Sequence, residues 1–162
     1  MKGIPGTAVV LSLLLLPLFS FSHLAAQDQR PPEVQAMDVW IGGWDYDLDG
    51  DPGYWEWKWF GNSLLTAKER TPAGRDVVHF MAWDPQKEAY VWNRYWSSGY
   101  VDQGVGWLQD DTWTFLFLGT PGAIQRLNMA FESEDVLGFK WERSVKGGSW
   151  EVIGEGRTVR KR

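Results

Sequence analysis

The sequence predicts an all-β protein, a single antiparallel up-and-down barrel of about ten strands behind a short helical plug. Three observations carry this. From Gly42 onward, clusters of Gly, Pro, Asp and Asn recur about every ten residues. The stretches between them alternate apolar and polar residues with the period of a strand that buries one face. The connectors are about two to five residues long, the length of hairpin loops, so successive strands pair antiparallel. A meander of that many strands in one small domain closes on itself, because closure removes both sheet edges. No fixed-period repeat suggests a propeller or solenoid.

The elements follow in order. Met1-Lys2, the apolar run from Ala8 to Phe21 and the small pair Ala25-Ala26 form the pattern of a secretory signal, with cleavage expected after Ala26 or, failing that, Ala25. The run is short for a membrane span and is broken by Pro17. Gln27 stands where a lipoprotein needs Cys, so no membrane anchor is expected and the destination is periplasmic or secreted. Gln27 to Pro32 reads as a flexible lead-in, and residues 33–162 as the barrel domain. Glu33 to Trp40 suits one or two helical turns, with Pro32 at the first position and Val34, Met37 and either Trp40 or Ile41 on one face. The expected strands are Gly42–Leu48, Tyr54–Phe60, Ser63–Arg70, Asp76–Trp83, Ala89–Ser97, Tyr100–Leu108, Thr112–Leu118, Ile124–Ser133, Val136–Val145 and Trp150–Arg160.

Composition narrows the function. The 136 residues after Ala26 are one domain's worth. With no Cys, disulfides, thiolate metal sites and a thiol nucleophile are excluded. The mature part keeps one histidine, His79, which on a strand reads as a hydrogen-bonded residue rather than a metal ligand. There are 16 Lys and Arg against 21 Asp and Glu, a net charge of −5, so nucleic acid is not an expected partner. Gly-x-Ser-x-Gly and phosphate-loop motifs are absent. Carboxylates are plentiful, Glu69, Asp76, Asp102 and Glu132 among them, but nothing in the sequence selects a catalytic pair.

Two constellations carry candidate chemistry. Tyr90, Trp92, Arg94 and Trp96 share one face of the fifth strand, and Phe139, Trp141 and Arg143 one face of the ninth. With Trp113 and Phe115 of the seventh strand they are the expected lining of a cavity. If the face points inward, Arg94 must meet an acidic side chain or a ligand anion; if outward, it stacks between Trp92 and Trp96. The second constellation is an acidic run in which Asp45, Asp47, Asp49, Gly50 and Glu56 have the spacing of a calcium loop. Against calcium, the flanks read as strands, Pro52 interrupts the loop, and the aspartates fit the solvated face opposite Trp44, Tyr46 and Leu48.

The helix followed by Gly42-Gly43-Trp44 resembles the entrance of lipocalin-like (calycin) barrels. More closely, the series Trp40-Ile41-Gly42-Gly43-Trp44, Trp83-Asp84-Pro85 through Tyr90-Val91-Trp92, Gly104-Val105-Gly106-Trp107 and Asp111-Thr112-Trp113-Thr114-Phe115 resembles an uncharacterised bacterial family of such domains. The resemblance implies that Gly42 and Trp44 mark the barrel entrance and that Arg160 or Arg157 packs over Trp44. It also implies a cavity for a small apolar or amphiphilic ligand, one that carries an acid group if interior arginines hold a carboxylate as in fatty-acid-binding relatives. Haem-binding ten-stranded barrels hold iron through a histidine near the chain end; residues 132–162 contain none, so haem is not expected. The leading expectation is an exported binding module. The alternatives are a barrel enzyme using interior carboxylates and tyrosines, and a ligand-free interaction domain with a filled interior.

Overall fold

The computed structural model describes residues 29–48, 50–118 and 122–162. The expected signal segment, Asp49 of the acidic run and most of the turn before the eighth strand lie outside the described residues. The ten strands are β1 (Gly42–Leu48), β2 (Asp51–Phe60), β3 (Leu64–Arg70), β4 (Asp76–Asp84), β5 (Ala89–Trp96), β6 (Val101–Gln109), β7 (Thr112–Phe117), β8 (Ala123–Ser133), β9 (Val136–Val145) and β10 (Glu151–Arg160). Each pairs antiparallel with its chain neighbours, and β1 closes the ring on β10. Most boundaries lie within a residue of the sequence reading. The exception is β2, which begins at Asp51 rather than Tyr54 because its ladder to β1 runs down to Leu48↔Asp51. Pro52 is tolerated there because β3 pairing starts only at Tyr54, so no second neighbour asks for its missing N–H.

One end of the ring is stoppered. Helix α1 (Pro32–Gln35) runs into a 3-10 turn (Ala36–Trp40), with Pro32 in the first turn, where its missing N–H costs nothing. Val34, Met37 and Trp40 are the buried face. Trp40 is fully buried and meets Trp55, Trp57, Trp92, Trp113 and Phe131 at centroid distances of 5.5–6.2 Å, so rings from four strands surround it on the barrel axis. The Tyr90 hydroxyl donates to the Glu33 carbonyl at 3.0 Å and ties the helix to β5.

The entrance motif fastens the plug to the seam. The Trp44 indole N–H donates to the Trp40 carbonyl at 2.8 Å. Arg160 lies over the Trp44 ring, 4.1 Å from its centroid, and donates to the carbonyls of Ile41, Val39 and Glu134. Gly42 is required beside it: φ is +117°, and a Cβ would sit 3.0 Å from the guanidinium. Arg157 pairs instead with Glu132 on the outer surface. Trp44→Ala should therefore cost about 3–5 kcal/mol, read from denaturant melts; a loss below about 1 kcal/mol would show that the plug does not depend on this ring.

Candidate functional site

Bulky rings fill the plug half of the barrel and leave the other half hollow. A cavity of about 620 Å³ lies there, within the size range of small-molecule sites. Its lining reaches the turn residues Thr71, Pro72 and Ala73 and exposed Tyr100, so it opens at the end opposite the plug. Trp55, Trp92, Trp96, Phe139 and Trp141 make the aromatic part of the wall, and Leu127, Met129 and Ile153 the aliphatic part.

A hydrogen-bonded chain crosses this wall. Strand alternation puts Glu69 on the face of Leu65 and Ala67, His79 on the face of Val77 and Met81, and Tyr46 on the face of Trp44. Tyr46 reaches across β2 to Glu69 because Gly53 lies beneath it; a Cβ at Gly53 would collide with the phenol ring. The Tyr46 hydroxyl donates to Glu69 Oε1. His79 Nε2 lies 2.8 Å from Glu69 Oε2, and the Trp92 indole N–H donates to His79 Nδ1 at 3.0 Å. Since Nδ1 is an acceptor, the ring proton sits on Nε2 and is donated to Glu69. Burial pushes the Glu69 carboxyl up. The hydrogen bonds from His79 and the Tyr46 hydroxyl, with the charge of Arg94, outweigh it and hold the group below its ordinary value. Burial, with the charge and hydrogen bond of Glu69, drives Tyr46 in the opposite direction, well above an ordinary phenol.

Next to this chain lies a buried ion pair. Arg94 faces His79 across β4–β5 and Asp102 across β5–β6. Its Nε donates to Asp102 Oδ1 at 2.9 Å and its Nη2 to Oδ2, with both side chains about 5% exposed. Its guanidinium carbon lies 3.9 Å from the Phe117 centroid and 4.6 Å from that of Trp141. The Phe117 ring can approach because β6 offers only Gly104 beneath it.

The structure divides the expected lining. Trp92, Arg94, Trp96, Phe139 and Trp141 border the cavity. Trp113, Phe115 and Tyr90 share the inward parity but lie lower, packed around Trp40 and Trp92 with no surface on the cavity. Arg143 has no surface on the cavity and pairs with exposed Glu151 at 3.1 Å. Arg94 points inward, and the acid it meets is Asp102. Of the calcium-loop residues, Asp45 pairs with Lys161 at 2.9 Å and Asp47 accepts the Gly50 N–H at 2.7 Å. Glu56 lies opposite Gly43 in the β1–β2 ladder. Among the described residues, no group of three or more His, Asp and Glu is placed to hold a metal. His79 has both ring nitrogens engaged in hydrogen bonds.

The sequence pattern does not single out Tyr46 or His79 as site residues, and Glu69 and Asp102 are two carboxylates among several. The signal is present in three strands: Glu69, His79 and Arg94 each interrupt an apolar face at the inward parity.

Fold and site together define a closed antiparallel barrel with one plugged end and a polar cluster inside its open half. The crystal structure of Rv2717c from M. tuberculosis is similar in fold, with a TM-score of 0.55 at 12% identity over 82% of this chain and 99% of that one. Tp0751 (pallilysin) of Treponema pallidum aligns with a TM-score of 0.34 at 16% identity over 82% and 98%. No family model and no curated protein matches the chain. The likeness to Rv2717c supports the barrel fold.

Asp102→Asn strips Arg94 of its counter-charge and should cost about 3–5 kcal/mol, whereas Arg94→Met with Asp102→Leu should lie much closer to wild type; urea melts compare them. For Glu69, the unfolded carboxyl titrates near the ordinary value, about 4.3, and the folded one below it. Between the two, the unfolded chain binds more protons, so stability falls as pH drops through that window and the contribution is gone below the folded value. Melts from neutral to acid pH should show this slope in wild type and a shallower one in Glu69→Gln; equal slopes contradict the assignment.

Proposed function

We propose that the protein binds a small amphiphilic molecule in the open half of the barrel, and that it works in the periplasm or outside the cell. The observation that carries the first part is the cavity itself: aromatic and aliphatic walls around a compact polar cluster, the composition of a site that grips an apolar body and orients a polar end. The second part rests on the sequence pattern of residues 1–26. A hollow of this size counts against a domain whose side chains fill its interior.

The electrostatics favour binding over catalysis. A general base or acid works best when its pKa lies near the operating pH. Here Glu69 is held below its ordinary range and Tyr46 above its own, so at neutral pH neither is poised to exchange a proton. Both Glu69 oxygens already accept hydrogen bonds, an arrangement that stabilises a fixed charge.

Protein purified from its own host and sprayed under native conditions should carry an extra non-covalent mass that denaturing conditions remove. Ligand entry should also quench tryptophan fluorescence, since four Trp rings border the cavity. An apo mass alone, together with fluorescence unmoved by a set of amphiphiles, defeats the proposal.

A further inference from the structure

We infer that this cavity selects an organic cation: a protonated amine or quaternary ammonium on an apolar body, seated between the tryptophan walls with its charge toward Glu69. The inference rests on the binding reading above and adds the sign of the ligand's charge.

It follows from a tally of the ionisable groups that face the cavity. Arg94 is engaged: two of its nitrogens are bound by Asp102, and aromatic faces lie against its guanidinium. At the rim, exposed Asp51 and Arg75 contribute one charge of each sign. His79 presents a single N–H, its other nitrogen being occupied by Trp92. Tyr46 keeps its proton. What remains is Glu69, a carboxylate held by two hydrogen-bond donors with no cationic side chain bonded to it. The interior therefore carries one net negative charge in surroundings that screen poorly. An anionic ligand would be repelled by it. A cation would be drawn in, and tryptophan faces are the surfaces that best hold a desolvated cation. The wall already does this for Arg94, which lies against Trp141 and Trp96. The acid-bearing ligand suggested by an interior arginine is thus replaced by its opposite, because Asp102 satisfies that arginine from within.

Three probes with one body and different heads test the sign: 3-phenylpropylammonium, 3-phenylpropanol and 3-phenylpropanoate, titrated at neutral pH by calorimetry and tryptophan fluorescence. The ammonium should bind at least about tenfold more tightly than the alcohol, and the carboxylate most weakly. In Glu69→Gln the ammonium's advantage should fall to about threefold or less while the alcohol is unchanged. If the alcohol or carboxylate binds wild type as tightly as the ammonium, or if the advantage survives in a folded Glu69→Gln, the charge assignment is overturned and the binding reading stands. If none of the three binds wild type at millimolar concentration, both fall. Should Glu69→Gln fail to fold, the comparison of heads on wild type decides by itself.

Discussion

Trp40 standing on the barrel axis is the constraint around which the rest is arranged. A closed ring of ten strands is wide, and ordinary aliphatic side chains reaching inward from its wall leave space at the centre. The chain meets this by sending an indole down the axis from outside the sheet and surrounding it with rings from β2, β5, β7 and β8. Helix and seam then need a fixed geometry, which Trp44 and Arg160 impose by bonding the carbonyls at the end of the helical segment. The same device sets where the cavity can be. What Trp40 and its neighbours do not fill, at the far end, stays hollow.

The open half carries the polar groups, and register holds them together. Ala67, His79, Arg94 and Asp102 lie in one row across β3 to β6, with Glu69 one step above on the same face. A slip of one residue at any of these ladders would turn an ionised side chain outward and leave its partner alone in the interior, at a cost of several kcal/mol. The polar row is thus a specificity device for the fold as well as the floor of the candidate site. Small residues make it work. Gly53 admits the Tyr46 ring, and Gly104 lets Phe117 lie against Arg94. These contacts join a buried charge to an aromatic wall in a way that neither polar nor apolar packing alone would produce.

Much of this architecture was legible in the sequence. Period-two alternation and hairpin turns are local properties, so the ten strands, their order and their inward faces could be read without knowing the ring, as could Gly42-Gly43-Trp44 and a basic residue near the chain end. Parity also grouped Trp92, Arg94 and Trp96 on one face and Phe139 and Trp141 on another, and the closed ring turned both inward. Parity says nothing about height along the axis. For that reason Trp113, Phe115 and Tyr90, alike in pattern, belong to the packed end, while Arg143 pairs with Glu151 off the cavity. Height depends on where the plug stops, and Trp40 is brought there by contacts with residues 15 to 91 positions further along the chain. Nor could the sequence pair its charges. Which carboxylate meets Arg94, and that Tyr46, Glu69, His79 and Trp92 form one chain, follow from strand register across the closed sheet. The sign of the cavity's charge is therefore a tertiary property: composition sets how many acids and bases the chain carries, and only their pairing decides which charge is left facing the ligand.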